Sequence, residues 1–277
     1  MGIPFLKMHG LGNDFVVIDD RAAVGRVDQT LAVKLADRRL GVGCDQVIVL
    51  EPSQRGDVFM RIFNPDGSEV ESCGNATRCV ADLVFGESST EEAVIETRGG
   101  LLACNRANDD MITVDMGPAR FGWQDIPLAH AVPDTAHLPV ALDDLTDPVG
   151  VSIGNPHCAF FVPDAEAVAI ERLGPLIETD SLFPARTNVE FVQVIAPDHL
   201  RMRVWERGAG VTLACGSGAC ASAAAAVKRK LATPRMAIDL DGGRLWLDAS
   251  DLDHILMTGP TELAYRGNWP TDDAQAG

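Results

Sequence analysis

The sequence predicts an α+β protein with two pseudo-symmetric domains, each a curved β-sheet or barrel around a central helix. Two observations lead to this prediction. Cys73-Gly74 and Cys215-Gly216 each precede an apolar, helix-like run, and the two cysteines are 142 residues apart (215 − 73). Short strand patterns with turn signals between them also recur in each half of the chain.

The same offset relates residues far from the cysteines. It pairs Gly12-Asn13 with Gly154-Asn155, Gln46 with Asn188, Met60-Arg61 with Met202-Arg203, Asn64 with Glu206, and Gly117-Pro118 with Gly259-Pro260. Because one register persists along most of each half, we interpret the chain as a duplicated unit. We place the N-terminal domain at residues 1–117 and the C-terminal domain at residues 118–262. The tail, residues 263–277, is expected to pack back onto the first domain.

Most of each half reads as short strands, because β-branched and aromatic residues alternate with polar ones. The strands predicted in the first half are FVVID, QVIVL, DVFMRIF, AVIET and MITVDM, and those in the second are HCAFFV, VEFVQV, HLRMRVW, MAIDL and HILMT. An acidic, proline-containing connector, residues 119–148, separates the two repeats.

Two helices are predicted in each half. One covers residues 28–39 and its counterpart covers residues 164–177, where Pro175 makes the pattern less regular. The other helix of each half begins directly after the Cys-Gly pair. In the second half, residues 219–227 are almost all small, which predicts a helix enclosed on every side, as by a curled sheet.

Composition excludes several classes of function. The formal net charge is −17, whereas a nucleic-acid-binding protein needs a basic surface. No apolar run is long enough to span a bilayer. Seven cysteines, an odd number without a disulfide-like spacing, favour a reducing, cytoplasmic compartment. Because C-x-x-C is absent and the six histidines are scattered, no metal site is predicted.

The duplicated thiols suggest a specific chemistry. A thiol at a helix N-terminus lies near free N–H groups and the positive end of the helix dipole, which favour thiolate. The same N–H groups, at Gly74-Asn75 and Gly216-Ser217, can hold a carboxylate. One carboxylate held between two such helices would have a sulfur on each side of its α-carbon. Such an arrangement suits proton removal from one face and proton return to the other, with Cys73 and Cys215 as base and acid.

A pyridoxal cofactor is not expected, because it needs a Schiff-base lysine and Lys7 is the only lysine in a recognisable motif. The cysteines outside the repeated pairs are interpreted as inert core residues: Cys44, Cys79, Cys104, Cys158 and Cys220.

Other polar residues form a candidate ligand shell, each with a plain structural alternative. The amides could bind substrate or simply form turns: Asn13, Gln46, Asn64, Asn155 and Asn188. Glu206-Arg207 could be a surface ion pair, or Arg207 could bind a carboxylate while Glu206 receives an ammonium. His157 could stabilise a turn or tune a nearby thiol.

Six motifs, spread from Lys7 to about Ala221, together resemble the diaminopimelate epimerase family. They are KMHGLGNDFVVID, GVGCDQ, FNPDGSEVESCGNATRC, GNPHCAFF, TNVEFV and WERGAGVTLACGSGACA. The resemblance implies cofactor-independent interconversion of LL- and meso-diaminopimelate, in lysine and peptidoglycan precursor biosynthesis. It also implies a small-molecule substrate, an active site in the cleft between the two domains, and a homodimer.

The resemblance also implies roles for individual residues. Cys73 and Cys215 would be the acid/base thiols, and the reacting carboxylate would lie on the N–H groups of Gly74, Asn75, Gly216 and Ser217. The far end of the substrate would be held by Asn64, Asn155, Asn188 and Arg207, with Glu206 on an ammonium. Asn13 and Gln46 would complete the pocket, and His157 and Glu206 would tune the thiols.

Three other functions compete with this one. A proline or hydroxyproline racemase-like enzyme would share paired thiols, but its substrate has no second amino-acid end for Glu206-Arg207 and the asparagines. A relative from phenazine synthesis, which isomerises without cysteines, is disfavoured because both thiols are present. A non-catalytic amino-acid-binding protein would have no need for Cys73 and Cys215.

Overall fold

The described part of the chain, residues 2–22, 25–88 and 90–270 of a computed structural model, contains eighteen strands, four α-helices and a short 3-10 helix at Asn108–Asp110; the strands and α-helices are labelled here. In chain order they are β1 (Ile3–Gly10), β2 (Asn13–Asp19), α1 (Gln29–Ala36), β3 (Gln46–Glu51), β4 (Val58–Phe63), α2 (Gly74–Ser88), β5 (Glu92–Thr97), β6 (Gly100–Arg106), β7 (Ile112–Asp115), β8 (Ala141–Leu142), β9 (Leu145–Thr146), β10 (Val149–Ser152), β11 (Pro156–Phe161), α3 (Ile170–Glu178), β12 (Asn188–Ala196), β13 (His199–Glu206), β14 (Gly210–Val211), α4 (Gly216–Lys228), β15 (Arg235–Leu240), β16 (Gly243–Asp248), β17 (Leu256–Gly259) and β18 (Glu262–Trp269).

The chain divides into two units. The first consists of Met1–Val114 and Gly259–Gly277, and the second of Asp115–Thr258. Among the described residues, no helix is both long and apolar enough to cross a membrane.

In the first unit the strands follow the order β7-β6-β5-β4-β3-β2-β1-β18. Helix α2 packs against β1 near one end of this order and against β5 and β6 near the other, so the sheet curves around the helix. Helix α1 lies against β3 and begins at Asp28, whose Oδ1 accepts a hydrogen bond from the Leu31 N–H at 2.8 Å. A side-chain acceptor of this kind satisfies an N–H group that has no partner within the helix.

The second unit is built in the same way. Its main sheet has the order β10-β11-β12-β13-β15-β16-β17, with β14 paired to β13. Helix α4 contacts five of these strands, namely β10, β11, β12, β13 and β16. Every residue from Gly218 to Ala226 in this helix is buried. The prediction of a small-residue helix enclosed by a curled sheet is therefore confirmed.

The ten strands predicted from alternation are all present, and the helices after both Cys-Gly pairs begin at Gly74 and Gly216. The other two helices are shorter than expected, since α1 ends at Ala36 and α3 begins only at Ile170. The connector is more than a linker. Ile126, Leu128, Leu138 and Val140 are buried in the same apolar cluster as Phe160 and Phe191 of the second unit.

Strand β18 follows the second repeat and pairs antiparallel with β1, from Ile3 opposite Trp269 to His9 opposite Glu262. Most of its side chains are exposed. The remainder of the predicted tail, residues 271–277, lies outside the described residues.

Candidate active site

Asn13 lies where the turn between β1 and β2 ends. The turn is tight, with left-handed backbone at Leu11 (φ 56°) and Gly12 (φ 84°). The amide Nδ2 of Asn13 donates to Asp45 Oδ2 at 2.9 Å, and its Oδ1 accepts from Asn75 Nδ2 at 3.1 Å. Cys73 Sγ lies 3.9 Å from the same Oδ1. The first unit therefore brings together three predicted site residues, Asn13, Cys73 and Asn75.

Cys73 directly precedes helix α2, as predicted. Its carbonyl oxygen accepts hydrogen bonds from the backbone N–H and the Oγ1 of Thr77, each at 2.9 Å. Gly74 and Asn75 are buried, whereas Cys73 is partly exposed. The thiol is thus held at the first turn of the helix and remains accessible to a small molecule.

A charged cluster supports the Asn13 turn. Asp14 forms ion pairs with Lys7 at 2.5 Å and Arg38 at 2.7 Å, and Arg38 also reaches Asp45 at 2.6 Å. Lys7 donates as well to the Gly43 carbonyl. Burial alone would raise the pKa of Asp14, but hydrogen bonds and charge from Arg38 and Lys7 outweigh it and lower that pKa to about 2. Lys7 is therefore part of the scaffold around this turn.

Gln46 and Asn64 form a second pair at the same edge of the sheet. Strand β2 is parallel to β3, and β3 is antiparallel to β4, so the starts of β2 and β3 and the end of β4 lie side by side. Gln46 Nε2 donates to Asn64 Oδ1 at 3.2 Å. Asn64 Nδ2 donates in turn to Ser68 Oγ at 3.1 Å, within the turn after β4.

In the second unit, Cys215 is the N-cap residue of α4, and its Sγ accepts from the Gly218 N–H at 3.3 Å. Ser217 Oγ lies 3.6 Å from the same sulfur. Asn155 follows Gly154, which has φ 83°, and its Nδ2 donates to Ser217 Oγ at 3.3 Å. The second unit therefore assembles Asn155, Ser217 and Cys215 in one place, as the repeat predicts.

His157 lies behind Asn155 and is completely buried. Its Nε2 is 2.9 Å from Asn155 Oδ1, and its Nδ1 is 2.6 Å from Glu190 Oε1. Glu190 is also completely buried. The sequence reasoning missed Glu190, because it lies inside an apolar strand, VEFVQV. The signal that could have found it was a carboxylate at an inward-facing strand position, where an ionised group needs a partner.

Asn188 connects two other parts of the candidate shell. Its Nδ2 donates to the Pro156 carbonyl, and its Oδ1 accepts from the Arg207 N–H, both at 2.9 Å. The Arg207 guanidinium reaches the Ala185 carbonyl at 3.3 Å. Glu206 accepts a hydrogen bond from the Thr212 hydroxyl. The side chain of Asn188 thus fixes the backbone at the corner that carries Glu206-Arg207.

Glu178, at the end of α3, is a further residue that the sequence reasoning missed. It is buried, and it accepts hydrogen bonds from Trp205 Nε1 at 2.7 Å and the Gly208 N–H at 3.0 Å. These two partners flank Glu206 and Arg207. Glu178 therefore holds the chain on both sides of Glu206-Arg207. No local sequence pattern indicates this role, because it depends on the fold.

Burial controls ionisation around Cys215. Desolvation raises the pKa of Cys215 well above its ordinary value, the carboxyls of Glu206 and Glu190 add to the effect, and hydrogen bonds from Ser217 and Gly218 oppose it. Desolvation also raises the pKa of Glu206, although hydrogen bonds from Thr212 and Cys215 oppose the rise. Burial therefore opposes the ionisation that the helix start favours at Cys215.

The remaining cysteines belong to the core. Burial raises the pKa of Cys44 to about 11 and that of Cys79 to about 12. It also raises the pKa of Cys158 well above the ordinary value. Cys104 and Cys220 are buried as well. Low exposure and raised pKa values fit inert thiols.

Comparison with known proteins agrees with the duplicated architecture. The family model for diaminopimelate epimerase matches residues 5–122 and 149–264. The diaminopimelate epimerase of Rhodospirillum centenum is 55% identical over 265 residues, which cover 95% of this chain and 91% of the relative. That of Acidiphilium cryptum is 50% identical over 264 residues, 95% of each chain.

Solved structures with low identity share the fold. A PhzF-family phenazine biosynthesis protein from Bacillus anthracis has a TM-score of 0.70 at 16% identity and covers 98% of this chain and 100% of its own. A hydroxyproline epimerase from Agrobacterium vitis has a TM-score of 0.68 at 17% identity, with 99% and 94% coverage. The two repeats, the thiol at each helix start and the similarity over nearly the whole length lead to one conclusion: the chain belongs to the diaminopimelate epimerase family.

Proposed function

We propose that this isomerase interconverts LL-2,6-diaminopimelate and meso-diaminopimelate by a two-base mechanism that uses Cys73 and Cys215 and no cofactor. The observation that carries the proposal is the placement of one thiol at an equivalent helix start in each unit, before Gly74 and before Gly216. Inversion at a carbon needs a base on one face and an acid on the other. A duplicated scaffold supplies two such groups of the same kind.

The proposed roles follow from the surroundings of the thiols. The raised pKa of Cys215 suits this thiol to the role of proton donor, with Cys73 as the base, in one direction of the reaction. In the reverse direction the roles exchange. The N–H groups of Gly74, Asn75, Gly216 and Ser217 bind the reacting carboxylate, and the helix dipoles stabilise negative charge as the α-proton leaves.

The far end of the substrate is proposed to meet Asn64, Asn155, Asn188 and the corner of Glu206 and Arg207. Arg207 would bind the distal carboxylate and Glu206 would receive an ammonium. Because the Asn188 amide is bonded to backbone atoms at both ends, its contribution is chiefly to hold that corner in place. Asn13 and Gln46 complete the pocket, and His157 and Glu206 tune the thiols.

The proposal includes a cellular setting and an assembly. The reaction belongs to lysine and peptidoglycan precursor biosynthesis in the cytoplasm, and seven cysteines in an odd set suit that reducing compartment. The two domains, residues 1–117 and 118–262, would each supply one thiol. A homodimer is proposed, and light scattering that gives the mass of a single chain would contradict it.

The nearest alternative is a proline or hydroxyproline racemase-like activity, because a solved hydroxyproline epimerase shares the fold. A cyclic amino acid with one carboxylate leaves Arg207 without a ligand, which disfavours this alternative. The deciding experiment incubates the enzyme in heavy water with LL-diaminopimelate and, separately, with L-proline. We expect deuterium at one α-carbon of diaminopimelate, formation of the meso isomer, and no exchange in proline. The opposite pattern would favour the racemase.

A further inference from the structure

Asn13 and Asn155 occupy equivalent positions in the two repeats, 142 residues apart (155 − 13). Each follows a glycine with left-handed backbone, Gly12 at φ 84° and Gly154 at φ 83°. Each lies beside the first turn of the helix that carries the candidate thiol of its own unit. An asparagine amide has two different ends, so the direction in which each amide points matters.

The amide of Asn13 has one possible direction. Its Nδ2 lies 2.9 Å from Asp45 Oδ2, and a carboxylate can only accept. Arg38 forms an ion pair with the other Asp45 oxygen at 2.6 Å. The carbonyl oxygen of Asn13 therefore faces Asn75 and the thiol of Cys73. The first unit presents an acceptor at its helix start.

The amide of Asn155 points the opposite way. Its Oδ1 lies 2.9 Å from His157 Nε2, and its Nδ2 lies 3.3 Å from Ser217 Oγ. Because an amide oxygen only accepts, Nε2 of His157 carries a proton in this arrangement. The second unit therefore presents a donor at its helix start. In the second unit the imidazole ring sets the direction of the amide, whereas in the first unit a carboxylate sets it.

Glu190 contacts the other nitrogen of the His157 ring. Its Oε1 lies 2.6 Å from His157 Nδ1, and its Oε2 has no hydrogen-bond partner among the described residues. When Glu190 and His157 together hold two protons, as imidazolium with carboxylate or as imidazole with carboxylic acid, Nε2 carries a proton and donates it to Asn155 Oδ1. When the pair holds one proton, Nδ1–H donates to the carboxylate, Nε2 has no proton, and the Asn155 amide would point the other way. Burial raises the pKa of Glu190, which favours the form with two protons.

We propose that Asp45 and Glu190 are positioning residues, which hold the equivalent amides of Asn13 and Asn155 in opposite directions. Asp45 acts directly and Glu190 acts through His157. The duplicated scaffold thereby offers an acceptor beside Cys73 and a donor beside Ser217 and Cys215. This inference rests on the proposed function for its catalytic consequence, since Asn13 and Asn155 are proposed substrate contacts.

The position of Glu190 makes a mere packing role a poor explanation. A Cβ atom added to Gly218 would lie 3.0 Å from Glu190 Oε1 and 3.2 Å from Cys215 Sγ. The carboxyl group of Glu190 and the thiol of Cys215 therefore both lie next to Gly218. A fully buried carboxyl group lowers the stability of the fold relative to an apolar side chain of similar size, unless a hydrogen-bonded partner compensates for its burial. His157 is that partner.

The first test is spectroscopic and uses the wild-type protein without substrate. Long-range ¹⁵N–¹H correlation spectra of histidine rings show which nitrogen carries hydrogen, and His157→Gln identifies the signals. We expect a protonated Nε2 of His157. A ring with hydrogen on Nδ1 alone would reverse the Asn155 amide and overturn the proposal for Glu190. This readout does not depend on the identity of the substrate.

The second test is a double-mutant cycle for epimerisation of diaminopimelate. Glu190→Gln is expected to lower kcat/KM by about tenfold to a hundredfold, because an Asn155 amide that points the wrong way would disturb the alignment of the substrate. In an Asn155→Ala background the same change should cost less than about threefold, because the contact it positions is already gone. Equal losses in both backgrounds would show that Glu190 does not act through Asn155. Glu171→Gln, the same change at an exposed site, should leave the rate unchanged.

The first unit allows a parallel cycle. Asp45→Asn is expected to lower kcat/KM by about tenfold and to lose most of this effect in an Asn13→Ala background. Asp109→Asn, at an exposed position, is the matched control. A loss that is equally large with and without Asn13 would overturn this half of the proposal. A wild-type enzyme inactive on diaminopimelate would instead contradict the proposed function, while the ring spectra would still test the role of Glu190.

Discussion

The ammonium group of Lys7 lies 2.5 Å from the carboxylate of Asp14, and both side chains are largely buried, at 11% and 17% exposure. The pair lies under the turn that places Asn13 beside Cys73. Arg38 binds the other oxygen of Asp14 at 2.7 Å. This ion-pair cluster is therefore a stabilising element of the candidate site, and its contribution should depend on pH.

Replacement of Asp14 by Asn is expected to lower the free energy of unfolding at pH 7 by about 3 kcal/mol, because it leaves the buried Lys7 charge without its partner. The folded pKa of Asp14 is about 2, below its ordinary 3.8. The carboxylate therefore contributes its full stability above the unfolded pKa, and the contribution is lost as the pH falls through the folded value.

Denaturant unfolding of wild type and variant at several pH values measures this effect. The difference between the two proteins should be constant from pH 7 to about pH 5 and should shrink between about pH 4 and pH 2. A difference that stays the same down to pH 2.5 would contradict the role of the Asp14 charge.

Replacement of either candidate thiol by Ala, at Cys73 or at Cys215, is expected to abolish formation of meso-diaminopimelate. Each substitution removes the only proposed acid or base on one face of the α-carbon. Chiral chromatography of the products measures the loss, with Cys104→Ala as a control for removal of a thiol outside the site. Full epimerisation by either variant would rule out the two-base mechanism.

Alkylation of Cys215 should be slow at neutral pH, because burial, Glu206 and Glu190 raise its pKa well above the ordinary value. Glu206→Gln removes one of the two negative charges and should lower that pKa. The rate of modification at pH 8 should rise by about tenfold for each unit by which the pKa falls. Mass spectrometry of the Cys215 peptide after iodoacetamide treatment gives the rate. An unchanged or slower rate would mean that Glu206 does not act on the thiol electrostatically.

Gly154→Ala is expected to destabilise the protein by about 1–2 kcal/mol, because a residue with a Cβ is strained in left-handed backbone. The φ of Gly154 is 83°, and no heavy atom lies within 4 Å of the added Cβ, so the cost is conformational. Gly86 in α2 has equally open surroundings and no left-handed φ. Gly86→Ala should therefore stabilise the helix by about 0.5–1 kcal/mol. Equal melting temperatures for the two variants would contradict this reasoning.

Local patterns in the sequence were sufficient for most of the fold. Alternation located strands such as β3 and β13, and the Cys-Gly pairs marked the starts of α2 and α4. Eight strands were not predicted, namely β1, β6, β8, β9, β10, β14, β16 and β18. The pairing of β1 with β18 joins opposite ends of the chain, and neither strand contains a local signal of it. The connector was expected to separate the repeats, but Ile126 and Leu138 belong to the core of the second unit. Their burial depends on which surface the chain meets after folding.

The sequence by itself determined the duplication, the equivalent positions of Cys73 and Cys215, and the family, since each of these is carried by residue identity and spacing. Only the tertiary structure decided how the surrounding groups ionise and point. Asp45 reaches Asn13, and Glu190 reaches His157, across 32 and 33 residues of chain. Strand pairing brings these groups together, and His157 and Glu190 are fully buried, where a hydrogen bond is electrostatically stronger than in water. The two repeats thus share a backbone fold, while long-range contacts are proposed to point the equivalent amides of Asn13 and Asn155 in opposite directions.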